Sequence, residues 1–205
     1  MNDKILDWAM KIKSISQIGL AYTKDPYDKE RYQQLEEVAT QMLETKLDMN
    51  NEKIVKVFCN ESGYRTPKID TRAAIIKNNK ILLVHENNDT WSLPGGWCDE
   101  DQSIVSNTLK EIKEETGLDA SIIKLVAIVD WRNHNVTNYI YGVMKSFILC
   151  SVNDGDFIDN IETSGFKYFA YDELPNNIAL EKVTKEQILM CFKAYEDDNW
   201  KVIIE

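Results

Sequence analysis

Three glutamates, Glu111, Glu114 and Glu115, lie near the end of a run that opens with the glycine pair Gly95-Gly96 and stops at Gly117. Carboxylates at this density suit a hard divalent cation, which takes oxygen donors and usually shares its site with substrate phosphates. Spacing decides whether they are more than a charged surface. From Ser103 onward, Ile104, Val105, Leu109 and Ile112 fall on one face at helical spacing, so that face packs inward. Lys110 and Lys113 point away from it, whereas Glu111 and Glu115 stack one turn apart at its edge, with Glu114 on their outer side. Like charges so placed repel by about 0.2–0.5 kcal/mol, and partial burial deepens the penalty. A bound cation relieves both. The two glycines ahead of the helix let the backbone turn sharply and approach a ligand closely. Together the glycine turn and the carboxylate helix suit holding metal ions against a diphosphate.

The surrounding elements position this pair. Arg72–Ile76 and Lys80–Val84 read as strands joined by a hairpin across Lys77-Asn-Asn-Lys80, and Trp91-Ser-Leu-Pro94 leads straight into the glycines. Ser121–Asp130, Tyr139–Val152 and Phe166–Tyr171 are β-branched and aromatic runs, again strands, and Thr184–Tyr195 is an amphipathic helix. Gly117 is placed to cap the carboxylate helix, with Leu118 making the accompanying apolar contact. Upstream, Ile5, Trp8, Ile12, Ile15 and Ile18, then Tyr32, Leu35, Val38, Ala39, Met42 and Leu43, mark two amphipathic helices separated near Asp25-Pro26-Tyr27. A third, shorter helix is expected from about Glu52 to Phe58, followed by turn chemistry at Asn60-Glu-Ser-Gly-Tyr-Arg-Thr-Pro67. The expected division is a helical domain over 1–66 and a catalytic domain over 67–205. The first is small for an independent core, so it should pack on the catalytic domain or on a partner subunit. Trp8, Tyr22, Tyr27 and Tyr32 are candidates to border the substrate pocket.

Gly96 to Leu118 resembles the Nudix box, with Gly96 and then Lys110-Glu111-Ile112-Lys113-Glu114-Glu115-Thr116-Gly117-Leu118 at the required spacing. Two positions depart from it: Gln102 stands where a glutamate belongs and Lys110 where an arginine belongs. Lysine lacks the planar fork of arginine, so the loop is expected to be held against the helix differently. The resemblance implies an α/β/α sandwich with a mixed sheet, preceded here by a small all-helical domain. It also implies Mg²⁺ or Mn²⁺ held by Glu111, Glu114 and Glu115, and hydrolysis of a diphosphate by water, with Glu111 the first choice as base. Gly19-Leu-Ala-Tyr-Thr23, Tyr27-Asp-Lys-Glu-Arg-Tyr32, Thr66-Pro-Lys-Ile-Asp-Thr-Arg-Ala73, Glu162-Thr-Ser-Gly-Phe166 and Asp172-Glu-Leu-Pro175 resemble a subgroup with a helical N-terminal domain. Its members include ADP-ribose and CDP-choline pyrophosphatases and are often dimeric, so a homodimer is expected. Outside the box, Glu162 could add a metal ligand or a base, and Arg72 and Arg132 could meet phosphate, as could Gly96 within it. Trp131 or Trp97 could stack on a base, and His134 could shuttle a proton or touch substrate.

Composition narrows the function. The chain has 205 residues, 43% of them hydrophobic, with no apolar run near the roughly 20 residues that cross a bilayer. A cytoplasmic enzyme without a membrane partner is expected. Cys59, Cys98, Cys150 and Cys191 are scattered without metal-ligand pairing and read as reduced thiols, Cys98 being the one nearest the chemistry. A net charge of −10 disfavours extended nucleic acid as a partner. The leading reading is a metal-dependent pyrophosphohydrolase of a nucleoside diphosphate linked to another moiety, CDP-choline ahead of ADP-ribose. Alternatives are action on RNA 3′ ends or oxidised nucleoside triphosphates, or a nucleotide-binding module without turnover.

Overall fold

Asn78 and Asn79 take left-handed backbone angles (φ 52° and 58°), the conformation a tight hairpin demands, and they join β1 (Lys68–Lys77) to β2 (Lys80–Glu86). The computed structural model that provides this geometry describes residues 4–47, 66–135, 141–153, 155, 157–158 and 160–205. The helix expected over Glu52–Phe58, most of the break after Asn60 and the start of the strand expected from Tyr139 lie outside the described residues.

The described strands form one mixed sheet, completed by β3 (Trp91–Ser92), β4 (Ala120–Asp130), β5 (Val143–Val152), β6 (Thr163–Phe169) and β7 (Ile203–Ile204). Its order is β3-β2-β1-β5-β4-β7, with β6 also paired to β2. β1 pairs parallel with β5 and β4 parallel with β7, while the remaining pairs are antiparallel. β1 is buried on both faces from Asp70 to Ile75 because a helix covers each side. On one face Ala73, Ile75, Leu82, Val84 and Ile148 pack against Ile112 and Leu118, which belong to or follow the box helix α3 (Ile104–Thr116). On the other, Ala74, Leu83, Val129, Phe147 and Leu149 pack against Ile188, Cys191 and Phe192 of α4 (Lys185–Glu196). Period-2 alternation along the strands thus feeds two apolar layers, and the result is the expected α/β/α sandwich. The strand expected to run to Tyr171 stops at Phe169, where the backbone enters a short 3₁₀ turn.

The helical part of the chain is a separate compact unit. Lys4–Tyr22 (α1) and Pro26–Leu47 (α2) run antiparallel: Ala9 meets Leu43 at one end, and Gly19 lies against the Tyr32 ring at the other. Lys13 is buried between them, its ammonium donating to the Thr40 hydroxyl at 2.8 Å and pairing with Glu36 at 3.4 Å. Ile5, Trp8, Ile15, Leu35 and Val38 remain exposed, so the apolar stripes read from the sequence are only partly spent on the hairpin's own core.

Candidate active site

The box helix is specified at both ends. The Ser103 hydroxyl accepts from the Ser106 N–H (3.1 Å), and the Ser106 hydroxyl accepts from the Ser103 N–H (3.0 Å), a reciprocal cap. Gly117 ends the helix at φ 77°, its N–H donating to the Lys113 carbonyl. The glycine loop then runs back along β1. Ala73 N–H donates to Pro94 O (2.7 Å), Thr71 N–H to Gly96 O (2.9 Å), and Cys98 N–H to Ile69 O (2.9 Å).

Loop and helix are sewn together at the glutamates. Gly95 N–H donates to Glu115 Oε2 at 2.8 Å, and the Asn107 amide reaches the Thr71 hydroxyl at 2.9 Å. Gly95 sits at φ 140°, where a Cβ would fall 1.9 Å from the Thr71 carbonyl oxygen; at Gly96, a Cβ would lie 2.9 Å from Glu111 Oε2. Gly95→Ala is therefore expected to destabilise the fold by about 1–3 kcal/mol through backbone strain. Gly96→Ala is expected to keep its melting temperature and yet weaken Mn²⁺ binding by displacing the Glu111 carboxylate. Thermal melts paired with a Mn²⁺ titration separate the two effects; unchanged Mn²⁺ affinity in Gly96→Ala would count against the packing argument.

The departures from the box have a structural answer. Lys110 pairs with Asp99 at 2.7 Å, so the acid that meets the helix's basic residue comes from position 99 instead of 102. Gln102 contributes backbone, its N–H donating to the Asp99 carbonyl and its own carbonyl accepting from the Cys98 thiol. Burial raises the Cys98 pKa, which keeps that thiol protonated.

Carboxylate oxygens of Glu111, Glu115 and Glu162 all lie within 4.8 Å of one another. Glu111 and Glu115 are buried and Glu162 is exposed, so the group faces outward on one side only. Burial pushes the Glu111 carboxyl up to about 7 and that of Glu115 to about 8, even though Arg72 and, at Glu115, the Gly95 N–H favour the charged forms. Three oxygen donors at this spacing, two of them buried and costly to ionise without a counter-charge, fit a hard divalent cation. Glu114, grouped with the other two by sequence, is exposed and lies 3.7 Å from Lys110 Nζ.

Of the remaining sequence candidates, Arg72 lies close enough to Glu111 and Glu115 to favour their charged forms, whereas Trp131, Arg132 and His134 sit together in the turn after β4. Arg72 is buried, its guanidinium donating to Asp70 at 2.7 and 3.1 Å and to the Leu93 carbonyl at 3.2 Å, so it braces the strand leading into the glycines. Lys145, fully buried on β5, donates to the same Asp70 at 2.9 Å. Trp131 is buried, Arg132 lies across Asp130 (Nε–Oδ1 3.0 Å), and His134 Nε2 pairs with Glu205 at 2.9 Å. The 3₁₀ turn Trp131–Asn133 is therefore tied to Asp130 and to Glu205. Lys145 and Asn160 had no signal in the sequence, and Asp70 and Thr163 lay in phrases that resemble the subgroup but suggested no role, since a lone Asp, Lys, Asn or Thr in a strand or loop is unremarkable until its neighbours are known.

These features define a class: a carboxylate helix behind a glycine turn on a mixed sheet covered on both faces. Residues 67–190 match the NUDIX domain, and residues 3–58 match the UDP-X-like, N-terminal oligomerisation domain. The chain belongs to the Nudix family, and is a hydrolase of phosphorus-containing anhydrides. It is 38% identical over 203 residues to a putative ADP-ribose pyrophosphatase of Bacillus subtilis (strain 168), covering 98% of this chain and 97% of that protein. Among solved structures, an ADP-ribose pyrophosphatase from Streptococcus suis 89-1591 superposes with a TM-score of 0.64 at 46% identity, over 68% of this chain and all of that one. A UDP-X diphosphatase superposes with a TM-score of 0.64 at 33% identity, over 98% of both chains. Among the described residues no helix is long and apolar enough to cross a membrane.

Proposed function

We propose that this enzyme hydrolyses the diphosphate of a nucleoside diphosphate linked to a second moiety, in a reaction that depends on a divalent cation. Water adds to one phosphorus, the bridging P–O bond breaks, and the products are a nucleoside monophosphate and a phosphorylated second group. The observation that carries this reading is the meeting of Glu111, Glu115 and Glu162 beside the glycine loop. These three would hold Mg²⁺ or Mn²⁺, with Glu114 joining from the exposed side of the same helix. The ion, when bound, supplies neutralisation of phosphate charge and a more acidic water. Glu111 takes the proton of the attacking water, while Gly95 and Gly96 let the loop pack closely on β1 and on the Glu111 carboxylate beside the site. A homodimer formed through the helical hairpin fits both the oligomerisation-domain match and the exposed Trp8, Ile15 and Val38.

ADP-ribose leads the substrate choices because two relatives carry that name, with UDP-linked compounds and CDP-choline beside it. Product analysis in Mg²⁺ or Mn²⁺ tests the reading on a panel of ADP-ribose, UDP-sugars, CDP-choline, an oxidised triphosphate and a short RNA. Metal-dependent release of AMP, UMP or CMP is expected. Pyrophosphate from the triphosphate, or mononucleotides from the RNA, with the diphosphate-linked compounds intact, would overturn it.

A further inference from the structure

Resting on the metal-site reading above, we infer that Asn160 and Thr163 are positioning residues that hold Glu162 to the end of the box helix and so preassemble the cation site. Glu162 sits on the loop before β6, and the chain could carry its carboxylate to many places. Two side chains restrict it. The carbonyl of Glu115 lies in the last turn of α3, where backbone acceptors have no partner within the helix. It accepts from the Thr163 hydroxyl at 2.7 Å and from the Asn160 amide at 3.2 Å. The residue that contributes one carboxylate through its side chain is thus gripped through its backbone by the loop that contributes another.

Asn160 also orders the loop from within. Its Oδ1 accepts from the Glu162 N–H at 3.0 Å and from the Thr163 N–H at 2.8 Å, and its amide nitrogen lies 3.0 Å from the Thr163 hydroxyl oxygen. On the other side, the Asn87 amide donates to the Ile161 carbonyl at 2.7 Å. The backbone on both sides of Glu162 is fixed while its carboxylate stays exposed. Thr163 is itself buried, so its hydroxyl has no water to replace the Glu115 carbonyl. Ordering the loop beforehand spares the entropy that cation binding would otherwise cost. Residues that orient metal ligands commonly change metal affinity or activity by about 10–100-fold when removed.

The test is Mn²⁺ binding to the full chain, read from the free Mn²⁺ signal in electron paramagnetic resonance, for the wild type, Asn160→Ala, Thr163→Val and Thr163→Ser. Each is assayed well below its melting temperature. The inference requires a Mn²⁺ Kd about tenfold or more weaker in Asn160→Ala and Thr163→Val, with Thr163→Ser close to wild type because the hydroxyl is retained. Steady-state kinetics on the hydrolysed nucleotide should then show a lower kcat with little change in KM. Folded Asn160→Ala and Thr163→Val proteins whose Mn²⁺ Kd stays within twofold of wild type would reduce both side chains to ordinary loop structure and overturn the inference. Should Thr163→Val not fold, Asn160→Ala decides by the same criterion. A wild type that binds no Mn²⁺ is a different result: it removes the metal-site reading itself, and the inference with it.

Discussion

Glu115→Gln is expected to lower kcat by about 10²–10⁴-fold and to leave the fold intact. Glutamine is nearly isosteric and keeps an oxygen to accept the Gly95 N–H, now held at 2.8 Å, so the loop need not move. What disappears is negative charge at a buried point within 4.8 Å of Glu111 and Glu162. A loss of about 10³-fold corresponds to about 4 kcal/mol of transition-state stabilisation, the scale expected when a cation loses a ligand. Stability should move the other way. Burial raises the Glu115 pKa to about 8, so its ionised form is a burden on the metal-free fold, and the amide removes that burden. The pairing of collapsed turnover with an unchanged or higher melting temperature in EDTA separates a site residue from a structural one. Turnover within threefold of wild type would remove Glu115 from the chemistry.

The second large effect is on pH dependence. Glu111 and Glu115 hold protons in the folded state up to about 7 and 8, whereas the unfolded chain releases them near 4.5. Between those limits the folded state binds more protons than the unfolded one, so stability falls as pH rises through that window. At pH 8.5 the metal-free protein should be less stable than at pH 5 by on the order of a few kcal/mol. Lys145 acts in the opposite sense only at higher pH: burial lowers its pKa to about 8, and its contribution to stability rises between there and 10.5. A divalent cation needs the carboxylates ionised, so its binding competes with their protons. Melting curves in EDTA and in millimolar Mg²⁺ at pH 5.5 and 8.5 measure both effects. The expected pattern is a lower EDTA melting temperature at pH 8.5 and a Mg²⁺-induced rise much larger there than at pH 5.5. Equal Mg²⁺ effects at the two pH values would mean the cation does not bind at these carboxylates.

Much of the scaffold was written locally. The hairpin at Asn78-Asn79, the Ser103 start and Gly117 stop of the box helix, and the period that puts Glu111 and Glu115 on one edge are all contained within a few residues. Such features follow from backbone sterics and helical geometry, which neighbours in sequence decide. The two amphipathic N-terminal helices were legible for the same reason, since apolar periodicity reports which face must leave water.

Other assignments needed chains of contact that cross the sequence. Arg72 has the chemistry of a phosphate ligand, yet parallel pairing of β1 with β5 puts Lys145 opposite Asp70, and Arg72 completes that buried group of charges. Lys110 found its acid at Asp99 because the loop curls back over the helix, a path that no spacing rule encodes. His134 and Arg132, polar residues in a turn, are tied to Glu205 and Asp130. By itself, then, the sequence determined the box helix, its glycine turn and the carboxylates at 111 and 115, because those depend on local periodicity. Glu162 was a candidate in the sequence, but only the tertiary structure brings its carboxylate within reach of theirs and sets Asn160 and Thr163 against the end of α3. Those contacts depend on where the end of α3 meets the loop before β6, and that meeting is set by packing of the whole sheet.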